Sequence, residues 1–167
     1  MTLRVSPPEG KDPVMWVWGG AVPGIAPAAS ALSDAVYGQS TLPLREFEAA
    51  RTRIAQINHC HFCLDWRTQR DGERVDEDLY GEIADWRSSP ALSERERLAA
   101  ELAERFAIDH LSLDDDEAFW ARLRSAFSDA EVIELLLCIG SWVLGGRINH
   151  VLGLDTACVL PANAHAV

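Results

Sequence analysis

The sequence predicts an all-α bundle folded as a single domain. Three observations carry that prediction. Two S-x-x-E boxes, Ser93 with Glu96 and Ser128 with Glu131, stand directly before apolar-periodic runs, the pattern of a reciprocally capped helix start. Pro43 opens a stretch in which Leu44, Phe47, Ala50, Ile54 and Ile57 form one helical stripe. The β-branched residues are scattered, and no alternating segment bounded by hairpin turns stands out, so no strand is expected. At 167 residues, the chain can bury about two-thirds of its extended surface in one core.

Taken in order, residues 1–25 are rich in Pro and Gly and predict an irregular arm that packs, or exchanges between subunits, through Trp16 and Trp18. A first helix is expected over 28–37 after Pro27, and a second from Pro43 until Asn58-His59 breaks it. A third should start at the cysteine pair and run to Arg70, with a short fourth over 76–86. Asp114-Asp-Asp-Glu117 places carboxylates at the front of a helix bearing Phe119, Trp120, Leu123 and Phe127, where they favour the positive end of its dipole. The run 132–144 is interrupted by Glu134 and Ser141 and falls short of the roughly 20 residues that span a bilayer, so it reads as a core helix. The helical domain is expected over 26–156, with a tail over 157–167. Six tryptophans are too many for a surface. Trp86, Trp120 and Trp142, with the two of the arm, are expected in the core or at a subunit interface.

The formal net charge is −11, and basic residues are nowhere concentrated, which argues against nucleic acid or an anionic membrane surface as the main partner. The apolar stretch Val14 to Trp18 ends in two glycines and lacks the basic flank of a secretory signal, so a cytoplasmic location is the expectation. Four cysteines, with Cys138 and Cys158 isolated, do not make a secreted disulfide scaffold. Cys138 sits in the most apolar stretch and reads as an inert core thiol.

Cys60-His-Phe-Cys63 is the chemistry-bearing feature. Two cysteines at this spacing can close a small disulfide, and a thiolate at a helix start is stabilised by unpaired backbone N–H groups. Glu48 lies twelve residues upstream. In one straight helix it would stand about 18 Å from Cys60, so a relay requires the chain to reverse near Asn58. An antiparallel hairpin would bring Glu48 near Arg67, which stands four residues after Cys63 and would share its helix face. A Glu48–Arg67–Cys63 cluster follows from this spacing. In it Arg67 stabilises a thiolate and keeps Glu48 ionised, while Glu48, His59 or His61 handles protons. Trp66, with Phe62, would wall the pocket.

Glu48, Arg53, Gln56, Asn58, Cys60 and Cys63 together resemble the signature of the carboxymuconolactone decarboxylase and AhpD-like superfamily. Trp86, Ser93-Glu-Arg-Glu96 with the run to Phe106, and the stretch from Gly146 to Asp155 extend the resemblance over roughly residues 40–155. It implies an AhpD-like helical bundle, homo-oligomeric as a trimer or hexamer. The implied activity is thiol-dependent oxidoreduction, as an alkylhydroperoxidase of peroxiredoxin type or a disulfide reductase, through Cys60 and Cys63. The implied substrate is a peroxide or a disulfide, with an external dithiol as reductant and no cofactor. The sequence departs from the AhpD pattern at two positions, with Arg67 and Phe62 where AhpD has histidines. The family pattern and Arg67 favour Cys63 as the peroxide-reactive thiol, whereas the helix-start argument favours Cys60.

Blander readings stand beside these. Glu48 can simply be paired with Arg45 or Arg51, three residues away on its helix. Arg67 can be a structural partner for Asp71 or Glu48. Arg147, Asn149 and His150 suit the end of the last helix, where basic groups bind terminal carbonyls. His59 and His61 suggest zinc, yet no second ligand pair lies at a recognisable spacing, so no metal is expected. Two further functions compete: a lactone decarboxylase-like enzyme with non-thiol acid/base chemistry, and a non-enzymatic redox-sensing oligomeric adaptor.

Overall fold

The computed structural model describes residues 2–154, and the expected tail with Cys158 lies outside them. In chain order the helices are α1 (Pro13–Gly19), α2 (Ala26–Gln39), α3 (Leu44–Ile57), α4 (His61–Asp65), α5 (Glu77–Glu82), α6 (Glu94–Ile108), α7 (Glu117–Ala126) and α8 (Asp129–Leu152). One short hairpin, β1 (Gln69–Arg70) and β2 (Glu73–Arg74), separates α4 from α5. The all-α prediction therefore holds for the architecture.

α3 lies at the centre, buried without a break from Glu46 to Thr52. One face supplies Phe47, Ala50 and Ile54 to a core shared with Leu98, Leu102 and Ala103 of α6, Phe119 and Leu123 of α7, and Leu135, Ile139 and Trp142 of α8. Ala49 joins a second, smaller cluster with Val75, Leu79, Ile83, Trp86 and Ala100. Ala49, Ala50, Ala99, Ala100 and Ala103 are all fully buried, so α3 and α6 meet through small side chains that let their axes approach. Ion pairs line the same seam, with Arg45 on Glu96 and Arg53 on Glu104.

Both S-x-x-E boxes form as read. Ser93 Oγ accepts from the Glu96 N–H at 3.2 Å while Glu96 accepts from the Ser93 N–H at 2.7 Å, and Ser128 and Glu131 repeat the arrangement at 3.3 and 2.7 Å. Glu134, in the middle of the apolar stretch, accepts from the Thr41 N–H and hydroxyl at 2.6 and 2.7 Å and so anchors the loop that leads into α3. α8 buries Val132, Leu135, Cys138, Ile139 and Trp142 but leaves Ile133, Leu137, Leu144 and Val151 exposed. Among the described residues no helix is long and apolar enough to cross a membrane.

Three expectations need correction. The N-terminal arm is not wholly irregular, because Pro13 at the helix start and the Asp12 carboxylate, accepting from the Met15 N–H at 2.8 Å, nucleate α1. That arm packs on its own chain: Trp18 Nε1 donates to Asn149 at 2.8 Å, and the Arg4 N–H donates to the Leu152 carbonyl at 2.9 Å. A strand pair does exist, built on Asp71-Gly72, whose φ values of 53° and 81° suit the type I′ turn that closes a two-residue hairpin. Its flanks are charged and not alternating, which hid it. The helix bearing the cysteines ends at Asp65 instead of continuing to Arg70, because Trp66 is already extended at φ −67° and ψ 140°.

Candidate active site around the dithiol

α3 ends at Ile57, and His59 reverses the chain with a left-handed φ of 52°. The reversal is fixed from below by Asn58, whose side chain donates to the Trp142 carbonyl of α8 at 3.1 Å. Asn58 lies so close to Gly146 that a Cβ there would fall 2.3 Å from its Nδ2. Only a glycine permits that approach.

Cys60 caps α4, its sulfur accepting from the Cys63 N–H at 3.2 Å, and the two cysteines are joined as a disulfide with Cα atoms 5.2 Å apart. Cys60 is buried and Cys63 is half-exposed. Cys63 is thus the more accessible member of the pair, and the Cys60 sulfur faces a backbone N–H.

Beneath α4 lies a buried ion pair. Glu48 is fully buried and accepts from Arg51 Nε at 2.7 Å and from Arg51 Nη2 at 2.8 Å, the bidentate geometry that makes such pairs strong. Tyr80 donates its hydroxyl to the same carboxylate at 2.7 Å. Burial pushes the Glu48 carboxyl up, but the hydrogen bonds and charge of Arg51, aided by Tyr80, outweigh it and hold the pKa below the ordinary carboxylate value. Burial likewise opposes the charge on Arg51, and Glu48 more than restores it. Both groups stay ionised. Arg51 then reaches past the pair to donate to the Cys63 carbonyl at 2.5 Å and the Trp66 carbonyl at 2.9 Å.

An aromatic wall stands beside this pair. Trp66 packs at 5.7 Å from Phe62 and edge-on at 6.2 Å from Tyr37, whose ring also meets Phe47 at 5.8 Å. Burial, with Glu48 nearby, raises the Tyr37 hydroxyl to about 12 despite the opposing Arg51 charge. It is a neutral hydrogen-bonding group at physiological pH.

The site residues expected from the sequence are thus brought together in part. Cys60, Cys63, Phe62 and Trp66 share α4 and its end, and His59 precedes the dithiol while His61 lies between its cysteines, both exposed. The Glu48–Arg67–Cys63 cluster needs correction. With α4 ending at Asp65, Arg67 and Cys63 do not share a helix face, and the cation that holds Glu48 is Arg51, the partner of the plainer reading. Arg67 pairs with exposed Glu77 at 2.9 Å, donates to the Leu64 and Trp66 carbonyls at 2.7 and 2.9 Å, and lies 3.8 Å over the Tyr80 ring. Sequence reasoning missed the reach of Arg51 to the α4 carbonyls and the parts of Tyr80 and Tyr37. The i, i+3 spacing of Glu48 and Arg51 was the available signal for the first, whereas nothing local announces the tyrosines.

Cys138 is the free cysteine among the described residues. Burial, and to a lesser degree Glu134, raises its thiol to about 12, so it is the inert core group expected. Arg147 does bind a terminal carbonyl, but that of Ala107 at the end of α6, at 2.7 Å. No His, Cys, Asp and Glu group suited to a metal occurs among the described residues.

An all-α bundle that presents a CxxC disulfide at a helix start, above a buried carboxylate, defines a class of helical proteins compatible with redox function. Residues 23–105 match the model of the carboxymuconolactone decarboxylase family, and the fold is AhpD-like. It is 37% identical over 112 residues to the uncharacterised protein YnjA of Escherichia coli, an alignment that takes in 65% of this chain and 60% of YnjA. The uncharacterised YdfG of Bacillus subtilis is 26% identical over 117 residues, 69% of this chain and 78% of YdfG. A crystal structure from Agrobacterium tumefaciens, a protein of unknown function provisionally described as the antioxidant defence protein AhpD, superposes with a TM-score of 0.68. It is 24% identical, over 91% of this chain and 96% of that one. An uncharacterised peroxidase-related protein from Silicibacter superposes at 0.57 with 20% identity, over 77% and 68% of the two chains. These two likenesses concern the fold.

Proposed function

We propose that the chain is a thiol-dependent oxidoreductase cycling between a Cys60/Cys63 dithiol and the disulfide. The observation that carries this reading is the bonded pair itself, with one cysteine half-exposed and the other capping a helix. In the oxidative half, the Cys63 thiolate attacks the distal oxygen of a hydroperoxide ROOH, the O–O bond breaks, the alkoxide takes a proton from the medium and leaves as ROH, and Cys63 becomes a sulfenic acid. The Cys60 thiolate then attacks the Cys63 sulfur, the S–O bond breaks, and the oxygen departs as water with a proton from the medium. In the reductive half, an external dithiol attacks Cys63, displaces Cys60 as thiolate, and its second thiol closes the reductant's own disulfide, returning both cysteines to thiols.

Glu48 suits an electrostatic part in this cycle better than that of a base. Its oxygens already accept three hydrogen bonds, and its proton affinity is lowered. Proton traffic then falls to solvent and to His59 and His61. Ile133, Leu137, Leu144 and Val151, spaced by four and seven residues on one exposed line of α8, support association with further copies of the chain.

The test is to titrate reduced protein with hydrogen peroxide and with an organic hydroperoxide, map the Cys60–Cys63 bridge by mass spectrometry, and follow dithiol-coupled turnover. Fast, reversible bridging with sustained peroxide loss is expected. Bridging without turnover would replace the enzyme with a redox sensor, and activity surviving Cys60→Ser with Cys63→Ser would replace thiol chemistry with acid/base chemistry.

A further inference from the structure

Five residues are too few for a self-supporting helix, because a first turn fixes several backbone dihedrals for a single hydrogen bond. α4 is held at its ends. Cys60 caps one, and at the other, where the last carbonyls of a helix lack intrahelical donors, Arg51 supplies donors to Cys63 and Trp66. Arg51 cannot drift, since its side chain is 2% exposed and its guanidinium is held by Glu48. Arg67 also reaches carbonyls here, but its counter-ion Glu77 is 73% exposed, so solvent and salt compete for its grip.

We propose that Arg51 is a positioning residue for the dithiol, setting the Cys60–Cys63 redox equilibrium by holding α4 in its disulfide-ready shape after the bond has opened. The proposal rests on the thiol–disulfide reading above. In the oxidised protein the S–S bond itself keeps the two residues together. Reduction by an external dithiol, which gives up two electrons and two protons and leaves as a disulfide, removes that tether. The end contacts of α4, beside the burial of Cys60 and the packing of Phe62 on Trp66, then keep one sulfur facing the other. Arg51 therefore acts more strongly on the reduced state. Without it the dithiol gains conformational freedom, the effective concentration of one thiol at the other falls, and the equilibrium moves toward the dithiol.

Arg51→Lys separates the two jobs of this side chain. A lysine ammonium still neutralises Glu48, but a single point of charge does not span the carboxylate and two carbonyls as a planar fork does. The full chain, R51K and E48Q are each equilibrated in dithiothreitol buffers of known ratio, and the disulfide fraction is read by alkylation and mass spectrometry. R51K is expected to lower the oxidation equilibrium constant about tenfold, a rise of about 30 mV for a two-electron couple. E48Q removes the carboxylate charge but keeps one acceptor oxygen for Arg51 beside its two carbonyl bonds, so it should move the constant less than R51K does, by about threefold or about 14 mV on the same scale. An unshifted R51K overturns the proposal. So does E48Q shifting as far as R51K, since charge and not the clamp would then govern. If R51K does not fold, Glu48→Met with Arg51→Met removes the buried pair together and is read the same way, with the tenfold fall supporting the clamp and no fall overturning it. Wild-type protein that never oxidises reversibly would refute the redox reading itself; a cycling wild type with an unshifted R51K refutes only the role of Arg51.

Discussion

α8 and α4 both begin at a side-chain cap, yet they are held by opposite means. The 24 residues of α8 bury a row of apolar side chains in the main core, and its capping box trims an already stable end. The five residues of α4 bury no whole side chain, and what keeps them helical is a sulfur at one end and guanidinium groups at the other. Scaffold stability and site geometry thus rest on different forces: nonspecific apolar burial in the first case, directional charged hydrogen bonds in the second. Perturbing one should leave the other largely unmoved.

The largest effect is expected in the scaffold. Leu102→Ala, at a fully buried position of α6, should cost about 2–5 kcal/mol by lost burial and the cavity left behind. Urea unfolding gives that number, and the dithiol equilibrium of the folded variant should stay within about twofold of wild type, since no site group changes. A large redox shift would show that core and site are coupled after all.

Gly146→Ala probes a place where α8 reaches the segment that leads into the dithiol. A methyl group there would meet the Asn58 side chain at 2.3 Å, so Asn58 must leave its bond to Trp142. Overpacking of this kind costs about 1–3 kcal/mol. Because Asn58 lies two residues before Cys60, this variant, unlike Leu102→Ala, should also change the disulfide equilibrium. Lost stability with an unchanged equilibrium would confine Asn58 to a structural role.

The same division explains what the sequence made legible. Capping boxes and the stripe from Leu44 to Ile57 are local patterns whose meaning survives any tertiary context, so α3, α6 and α8 could be read directly. The length of α4 could not, because its end depends on Arg51, ten residues before its first residue on another helix. Projecting α4 onward to Arg70 put Arg67 on the face of Cys63 and made the wrong cation the partner of Glu48. The hairpin carried a strong signal in Asp71-Gly72, but its charged flanks lack the alternation that normally accompanies it. Tyr80 reaches Glu48 across 32 residues, and no spacing rule announces such a contact.

A smaller effect tests the cap of α8. Ser128→Ala should cost about 1 kcal/mol near neutral pH. The Glu131 carboxyl is held down to about 2 by the backbone N–H of Ser128 and then by Arg95. Its folded value lies below the ordinary 4.5, so its contribution is complete above about pH 4.5 and lost as pH falls toward 2. The variant keeps that backbone N–H but loses the Ser128 hydroxyl, which also donates to the carboxylate at 2.8 Å, so the gap between variant and wild type should narrow over that range in acid unfolding. A constant gap would mean that the hydroxyl acts without the carboxylate.

The smallest effect is expected at Arg67. Its partner Glu77 is largely in solvent, and exposed pairs of this kind contribute about 0–1 kcal/mol. Arg67→Ala should therefore leave the unfolding midpoint almost unchanged, and its loss from above the Tyr80 ring should push that phenol, already raised by burial and by Glu48, further up. The decisive readout is the titration of the reduced thiols by iodoacetamide rate against pH. With Arg51 as the cation bonded to the Cys63 backbone, the thiol profile of the Arg67→Ala protein should overlay that of wild type. A clear rise in thiol pKa would instead show that the charge of Arg67 reaches the sulfur through solvent, and would return to it the thiolate-stabilising role that sequence spacing suggested.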